Sequence, residues 1–329
     1  MNSPLRLGVV LSTVTDATLV ELTALGRLAE LLGYEAVLVN EGRGDALAIS
    51  QAIAAVTSRV TVGTNIANIY YRHPYLCAAT ARAIAELSGG RLLLGLGMSH
   101  RQMLASLGID MGNAREALRH YALSVRRALA GEGARGLLSP PPSPHPVPVY
   151  VAGNTVESAA VAGAVGDGLM PYLSPLSYLP TLLEASHAEV TAAGRDPAAF
   201  QCCLSMPTFV DDDEEAARSA ARYNLAFFAS LPNYRRQWRR AGYGAVMDQI
   251  RQVLANGQRR DAARLIPDEL IEEVCVFGSA ARCRAQLAAF RAAGVDLPVL
   301  AVSPVNEDRH SATRRALIAL APTALRTSS

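Results

Sequence analysis

Two glycine-centred segments and two isolated titratable residues carry most of the chemistry this chain could do. The first segment is Leu92–Arg101, LLLGLGMSHR. Gly95 and Gly97 let the backbone come close to a ligand, and the amides of Met98 and Ser99, with the Ser99 hydroxyl, could hold a phosphate without any lysine. The same residues also suit a tight strand-to-helix turn whose glycines serve packing alone. The second segment is Val149–Gly163, VYVAGNTVESAAVAG. Its Gly153, Asn154 and Thr155 lead straight into a helix, where free N–H groups and the positive dipole end favour an anion. Equally, Asn154 or Thr155 is an N-cap with Glu157 or Ser158 as its partner. Glu41 follows an apolar run and could act as an acid or base if desolvated, or it could pair with Arg43 or Arg72. His100 titrates near neutral pH, which makes it a candidate proton donor beside the alternative of a solvated or structural histidine.

Other chemistries lack their residues. The six His form no HxH or HExxH pattern, and the five Cys fall in no zinc spacing, so no metal site is expected. There is no GxSxG elbow. All 31 basic residues are Arg, which excludes a Schiff-base or Walker lysine. An odd number of Cys without a CxxC points to a reducing, cytoplasmic compartment. With 31 basic against 29 acidic residues there is no basic stripe for nucleic acid. Hydrophobic residues make up 50% of the chain and charged ones 18%, enough for a large core and against disorder. No signal peptide is visible, and no long uncharged apolar stretch suggests a membrane span.

These residues need elements to position them. Short apolar runs are expected as strands at Leu5–Leu11, Ala36–Val39, Val60–Ile66, Arg91–Leu96, Val149–Ala152, Gly168–Met170, Cys202–Val210 and Val299–Val302. Between them lie helical patterns: one capped by Asp16 and stopped at Gly33, then Asp45–Val56, Pro74–Leu87 and Ala114–Leu129. Ser139–Pro148 reads as a stiff surface connection. Continuous apolar strands predict a parallel sheet covered on both faces. Eight strand–helix units predict an α/β fold, a (β/α)8 TIM barrel, over 1–329 as one domain. Residues 211–268 read as a mostly helical insertion after strand seven, with helices at Asp212–Phe228 and Tyr234–Leu254. Of its aromatics, Tyr223, Phe227, Phe228, Tyr234 and Trp238, at least three are expected to pack that insertion rather than form a lid. An open doubly wound sheet would carry GxGxxG after its first strand; here the residues are STVTDAT. In a barrel the chemistry sits at the C-terminal strand ends, where Glu41, Asn65–Asn68, Gly97–Arg101 and Gly153–Thr155 all fall.

Four blocks of the sequence resemble the bacterial luciferase-like flavin oxidoreductase superfamily, best its branch of coenzyme F420-dependent methylenetetrahydromethanopterin reductase-like enzymes. They are LAELLGYEAVLVNEGRGDAL, TSRVTVGTNIANIYYRHP, AIAELSGGRLLLGLGMSHR and PVPVYVAGNTVESAAVAGAVGDGLMP, with a weaker block over Val276–Leu300. The resemblance implies a reduced deazaflavin or flavin in the barrel mouth. It places a non-prolyl cis peptide at Asn65–Ile66 behind the ring and a ring-edge contact at Asn68. It puts phosphate loops at Gly97, Met98 and Ser99 and at Gly153, Asn154 and Thr155. Many relatives have an acidic residue followed by His after the second strand; here the pair is Glu41–Gly42, so Glu41 or His100 is left to move the proton. The expected function is hydride transfer between F420 and a small organic substrate. The alternatives are an FMN-dependent monooxygenase fed by a partner flavin reductase, and a non-catalytic flavin-binding protein. A homodimer is expected from the same resemblance.

Overall fold

Alternate residues of the apolar strands serve two different cores. Val10, Leu38, Leu93, Tyr150, Met170 and Val299 pack together on one side. Their neighbours Val9, Leu11, Val37, Val39, Leu92 and Leu94 pack with the helices on the other. In the computed structural model, which describes residues 6–132 and 141–322, the strands are β1 (Gly8–Leu11), β2 (Ala36–Val39), β3 (Thr61–Thr64), β4 (Ala67–Asn68), β5 (Leu92–Gly97), β6 (Val149–Ala152), β7 (Gly168–Met170), β8 (Gln201–Val210), β9 (Val276–Gly278) and β10 (Leu297–Val302). All their pairings are parallel, in the order β10-β1-β2-β3-β5-β6-β7-β8. β8 then pairs back to β10, from Leu297 opposite Cys203 to Val302 opposite Thr208. That last ladder closes an eight-strand (β/α)8 barrel. β4 and β9 are short additions at the C-terminal rim.

Several boundaries differ from expectation, each for a local reason. Asp16 is not the first N-cap. Thr18 is, in a capping box with Glu21, and the helix runs Leu19–Leu31. The third strand stops at Thr64, because residues 65 and 66 leave the ladder before β4 resumes it. The segment Tyr234–Leu254 is broken: Pro232–Trp238 and Gly244–Ala255 are separated by a wide turn at Arg239–Tyr243, where Gly242 takes φ 100°. The first strand starts at Gly8, and Leu5 lies outside the described residues, as do Ser139 and Pro140 of the proline connection. The rest of that connection is a largely exposed surface segment.

The helices between β8 and β9 carry their own core, built around Trp238, Phe209, Phe277 and Leu270. Trp238, Tyr234 and Phe228 pack within it, whereas Tyr223 and Phe227 stay exposed. Two side chains tie this insertion to the loop after β7. Gln237 Nε2 donates to the Leu173 carbonyl at 3.0 Å and to Ser174 Oγ at 2.9 Å, and Trp238 Nε1 donates to the Leu173 carbonyl at 2.9 Å. Among the described residues no helix is long and apolar enough to cross a membrane.

Candidate active site

A register slip at the C-terminal end of β3 organises the barrel mouth. Val62 and Gly63 pair with Leu92 and Leu93, but Ala67 and Asn68 pair with Leu96 and Gly97. The first strand therefore carries one residue more than its partner, a bulge of the kind that re-aims side chains. Thr64 spans the gap: its hydroxyl donates to the Gly95 carbonyl at 2.8 Å and accepts from Gly95 N–H at 3.0 Å. The Asn65–Ile66 peptide is cis. Asn65 reaches across the barrel, its Nδ2 donating to Ser205 Oγ on β8 at 2.8 Å.

Glu41 holds this bulge. Its backbone N–H donates to the Ile66 carbonyl at 3.3 Å, and its carboxylate accepts from Asn68 N–H. Arg72 grips the same carboxylate with both terminal nitrogens, Nη1 to Oε2 at 3.1 Å and Nη2 to Oε1. The pair is enclosed, with side-chain exposures of 10% for Arg72 and 3% for Glu41. Burial alone would depress the guanidinium; the hydrogen bonds and charge of Glu41 outweigh it, and the Arg72 pKa is raised. Of the two partners weighed for Glu41, Arg72 is therefore the one. Arg43 lies exposed near Asp16. The RHP triplet resolves into three structural jobs: Arg72 pairs with Glu41, His73 caps the helix Pro74–Ser88, and Pro74 is its first residue.

Asn68 is 2% exposed. Its Oδ1 accepts from Tyr70 N–H at 3.0 Å, while its Nδ2 is buried without a partner. A buried unpaired donor costs about 1–3 kcal/mol, so the group suits a ligand acceptor at the rim of the barrel. His100, one loop away, has a second such atom: its Nδ1 is also buried and unpartnered, and its ring lies 5.6 Å from that of Tyr234. Burial pushes the His100 pKa below the ordinary imidazole value, against a hydrogen bond to Asn233 that works the other way. The imidazole is thus neutral at pH 7. Because the unfolded chain binds this proton at higher pH than the folded one, stability falls as pH drops through about 6.5. His100→Gln is expected to flatten that loss between neutral and mildly acidic pH, as read by urea unfolding at each pH.

The two loops expected to hold phosphate sit at the ends of adjacent strands, β5 and β6. Gly97 is needed by packing: a Cβ there would come 2.5 Å from Ile66 Cγ1. Met98 packs against the barrel core, and Ser99 takes φ 60°. In the second loop Thr155 is the N-cap of Val156–Val165, boxed with Ser158. The N–H groups of Asn154 and Thr155 both donate to Ser158 Oγ at 3.0 Å, and Asn154 Oδ1 accepts from Tyr172 N–H at 2.8 Å. A Cβ on Gly153 would sit 2.9 Å from Leu169 Cδ1. Every residue of Gly153–Thr155 therefore has a structural task. Arg240 from the insertion pairs with Glu157 in the first turn of that helix at 2.6 Å, and that hydrogen bond holds the carboxyl down at about 2.

The structure thus brings Glu41, Asn65, Ile66, Asn68 and Gly97 into one bonded cluster and leaves His100 and Ser99 on the next loop. Sequence reasoning did not single out Ser205, a small polar residue inside an apolar strand, or Asn233 beside His100. A cavity of about 780 Å³ opens at the opposite, N-terminal end of the barrel, between Arg126, Pro146, Tyr150 and Gln201. None of the candidate residues lines it, and barrel chemistry belongs to the other end.

Comparison with known proteins agrees with the fold. The chain matches the luciferase-like monooxygenase family over residues 5–297 and belongs to that family, whose members are oxidoreductases. A Mycobacterium tuberculosis protein named as a coenzyme F420-dependent oxidoreductase is 28% identical over 318 residues, 85% of this chain and 90% of that one. The 5,10-methylenetetrahydromethanopterin reductase of Archaeoglobus fulgidus is 24% identical, over 90% of this chain and 93% of its own. The solved structure of a coenzyme F420-dependent tetrahydromethanopterin reductase from Methanopyrus kandleri superposes with a TM-score of 0.78 at 20% identity. It covers 97% of this chain and 98% of that chain.

Proposed function

We propose that the chain is an oxidoreductase that uses coenzyme F420 to transfer hydride to or from a small organic substrate at the C-terminal mouth of the barrel. The observation that carries this reading is the buried, unpaired Nδ2 of Asn68 on a bulge clamped by Glu41 and Arg72, in a chain with a sequence relative and a structural neighbour named for F420. When bound, the deazaflavin supplies the hydride chemistry. The protein's part is to position and to manage protons. Asn68 offers its free amide N–H to an acceptor on the ring edge. Asn65 and Ile66 form the surface behind the ring. Met98 and Ser99 face the phosphate side. In the loop after β6, at Gly153–Thr155, the Asn154 and Thr155 amides are committed to Ser158, so that loop's contribution to an anion is the positive N-terminal end of the helix Val156–Val165.

Glu41 is a positioning residue on this account. Its oxygens accept from Arg72 twice and from the Asn68 and Ala46 amides, so its four acceptor positions are occupied within the fold. His100, neutral and with a ring nitrogen that has no partner among the described residues, is the group that takes the compensating proton when the substrate gives up a hydride, and its protonated form returns that proton in the reverse direction. The family name favours a second reading, an FMN-dependent monooxygenase supplied with reduced FMN by a partner reductase. We further propose a homodimer, on the family resemblance, and a cytoplasmic location, which the five buried and unpaired cysteines suit.

The test is anaerobic turnover of reduced F420 with a panel of small carbonyl compounds, followed by the deazaflavin absorbance. Wild-type protein is expected to oxidise reduced F420. His100→Gln is expected to lower kcat by about 10²-fold or more, in both directions of the reaction, the scale of a lost acid–base group. Consumption of oxygen with reduced FMN, and no reaction with reduced F420, would transfer the assignment to the second reading.

A further inference from the structure

His100 gets no orientation from its own loop. It is the N-cap residue of the helix Arg101–Ser106, yet its side chain makes no capping bond there, whereas the ring of His73 caps its own helix. The His100 ring is met instead by the insertion. Tyr234, on the short helix Pro232–Trp238, has its ring centroid 5.6 Å from that of His100. Tyr234 is itself held firmly: it is 5% exposed and packs on Phe228 at 5.0 Å and on Trp238 at 6.2 Å. Positions 234, 237 and 238 share one face of a helix, and that face is fastened to the barrel mouth. Gln237 and Trp238 hold the Leu173 carbonyl after β7. Leu173 takes a φ of 55°, a conformation that a bulky side chain keeps only where its surroundings enforce it. Arg240, in the turn that follows, pairs with Glu157 after β6. β5, β6 and β7 are consecutive in the barrel. One seven-residue helix and its trailing turn therefore strap three adjacent loops together, and His100 stands at the first of the three ties.

We propose, resting on the assignment of His100 above, that Tyr234 and Asn233 are positioning residues for the catalytic imidazole, so that the insertion completes the active site. Tyr234 fixes the ring by packing and keeps water from it. Asn233, one residue earlier on the same helix, hydrogen-bonds it. Nδ1 is left unpartnered among the described residues, as a group that must take a substrate proton requires. The charged and titratable neighbours act elsewhere. Arg101, next on the His100 loop, pairs with Asp110 and donates to the Gly112 carbonyl. Arg235, on the short helix, donates to the Ala229 carbonyl. Burial keeps the phenols of Tyr234 and of Tyr172, after β7, un-ionised. Burial, which lowers the His100 pKa, and the Asn233 bond, which raises it, therefore set where the ring titrates.

NMR titration of the histidine ring signals of the full chain, without cofactor, tests this; the signal lost in His100→Gln is that of His100. Tyr234→Leu is expected to move its titration to higher pH, toward the ordinary imidazole value of about 6.5, because it opens the ring to water. Asn233→Ala is expected to move it to lower pH. Both variants are expected to lower kcat with reduced F420 by about tenfold while holding F420 affinity within about twofold. Tyr234→Phe keeps the ring contact and is expected to restore the wild-type titration and most of kcat. Asn233 is half-buried, so its variant decides the matter if Tyr234→Leu does not fold. An unchanged His100 titration in Asn233→Ala, or in folded Tyr234→Leu, would overturn the proposal. So would a Tyr234→Phe protein as impaired as Tyr234→Leu, because the phenol oxygen and not the ring contact would then matter. If the insertion variants shift the titration while His100→Gln keeps full kcat, the positioning of the ring stands and the acid–base assignment of His100 falls. If His100→Gln loses kcat while the insertion variants change neither kcat nor titration, the acid–base assignment stands and the proposal falls.

Discussion

Arg72→Met is expected to destabilise the protein by about 3–5 kcal/mol, the cost of leaving one member of a buried ion pair without its partner. Glu41 would be left at 3% exposure with only backbone amides around it. Against a typical total stability of about 5–15 kcal/mol, that is a large fraction. The loss is expected to be visible as a lower urea midpoint at unchanged slope. The reason it exceeds the usual ion pair is enclosure. Exposed pairs such as Arg43 with Asp16 are worth about 0–1 kcal/mol. Adding Glu41→Gln to Arg72→Met is expected to recover part of the loss, because it removes the stranded charge. A loss below about 1 kcal/mol in Arg72→Met would mean that the pair is solvated and does not hold the bulge.

Gly95→Ala is expected to cost about 3 kcal/mol, at the upper end of the range for overpacking, and to weaken cofactor binding with it. The added Cβ would fall well inside contact distance of the Thr64 carbonyl oxygen and 2.5 Å from Met170 Sδ. The methionine can move, but the carbonyl belongs to the strand next to the bulge and cannot yield without shifting it. The two Thr64–Gly95 hydrogen bonds would go too. Gly244→Ala is the control. Its position is helical at φ −58° with no atom within 4 Å of the new methyl. There a stabilisation of about 0.4–1 kcal/mol is expected from the stiffer unfolded chain. Equal effects at the two positions in thermal or urea unfolding would contradict the claim that close approach at the bulge requires glycine.

How far the site could be read from the residues follows from how local each feature is. The strands were legible because both faces of a barrel strand are buried, so runs such as Ala36–Val39 and Val149–Ala152 are apolar throughout. The cap before Val156 was legible as Asn154 or Thr155 because side-chain capping acts within three residues, and the structure chooses Thr155; Asp16 misled because Thr18, two residues on, has the better partner in Glu21. The one-residue bulge was not legible from the strand pattern, since it is a property of the pairing between β3 and β5. The resemblance supplied its place instead. Arg72 was one of two partners considered for Glu41, and only the fold could choose. The reach of Asn65 to Ser205 joins residues 140 positions apart, and no local pattern carries that. The break near Gly242 escaped for the opposite reason: the helical periodicity continues across it, and a lone glycine within such a pattern is common.

The central claim is that the bulged mouth of this barrel holds a redox ring against Asn68. Equilibrium titration of F420 into the purified protein, with FMN in parallel, tests it most directly. F420 is predicted to saturate the wild-type protein with a Kd on the order of micromolar, about −8 kcal/mol. Asn68→Leu, which removes the unpaired donor, is predicted to weaken that binding by about tenfold or more. Absence of binding by both F420 and FMN, or identical affinity in wild-type and Asn68→Leu protein, would contradict it.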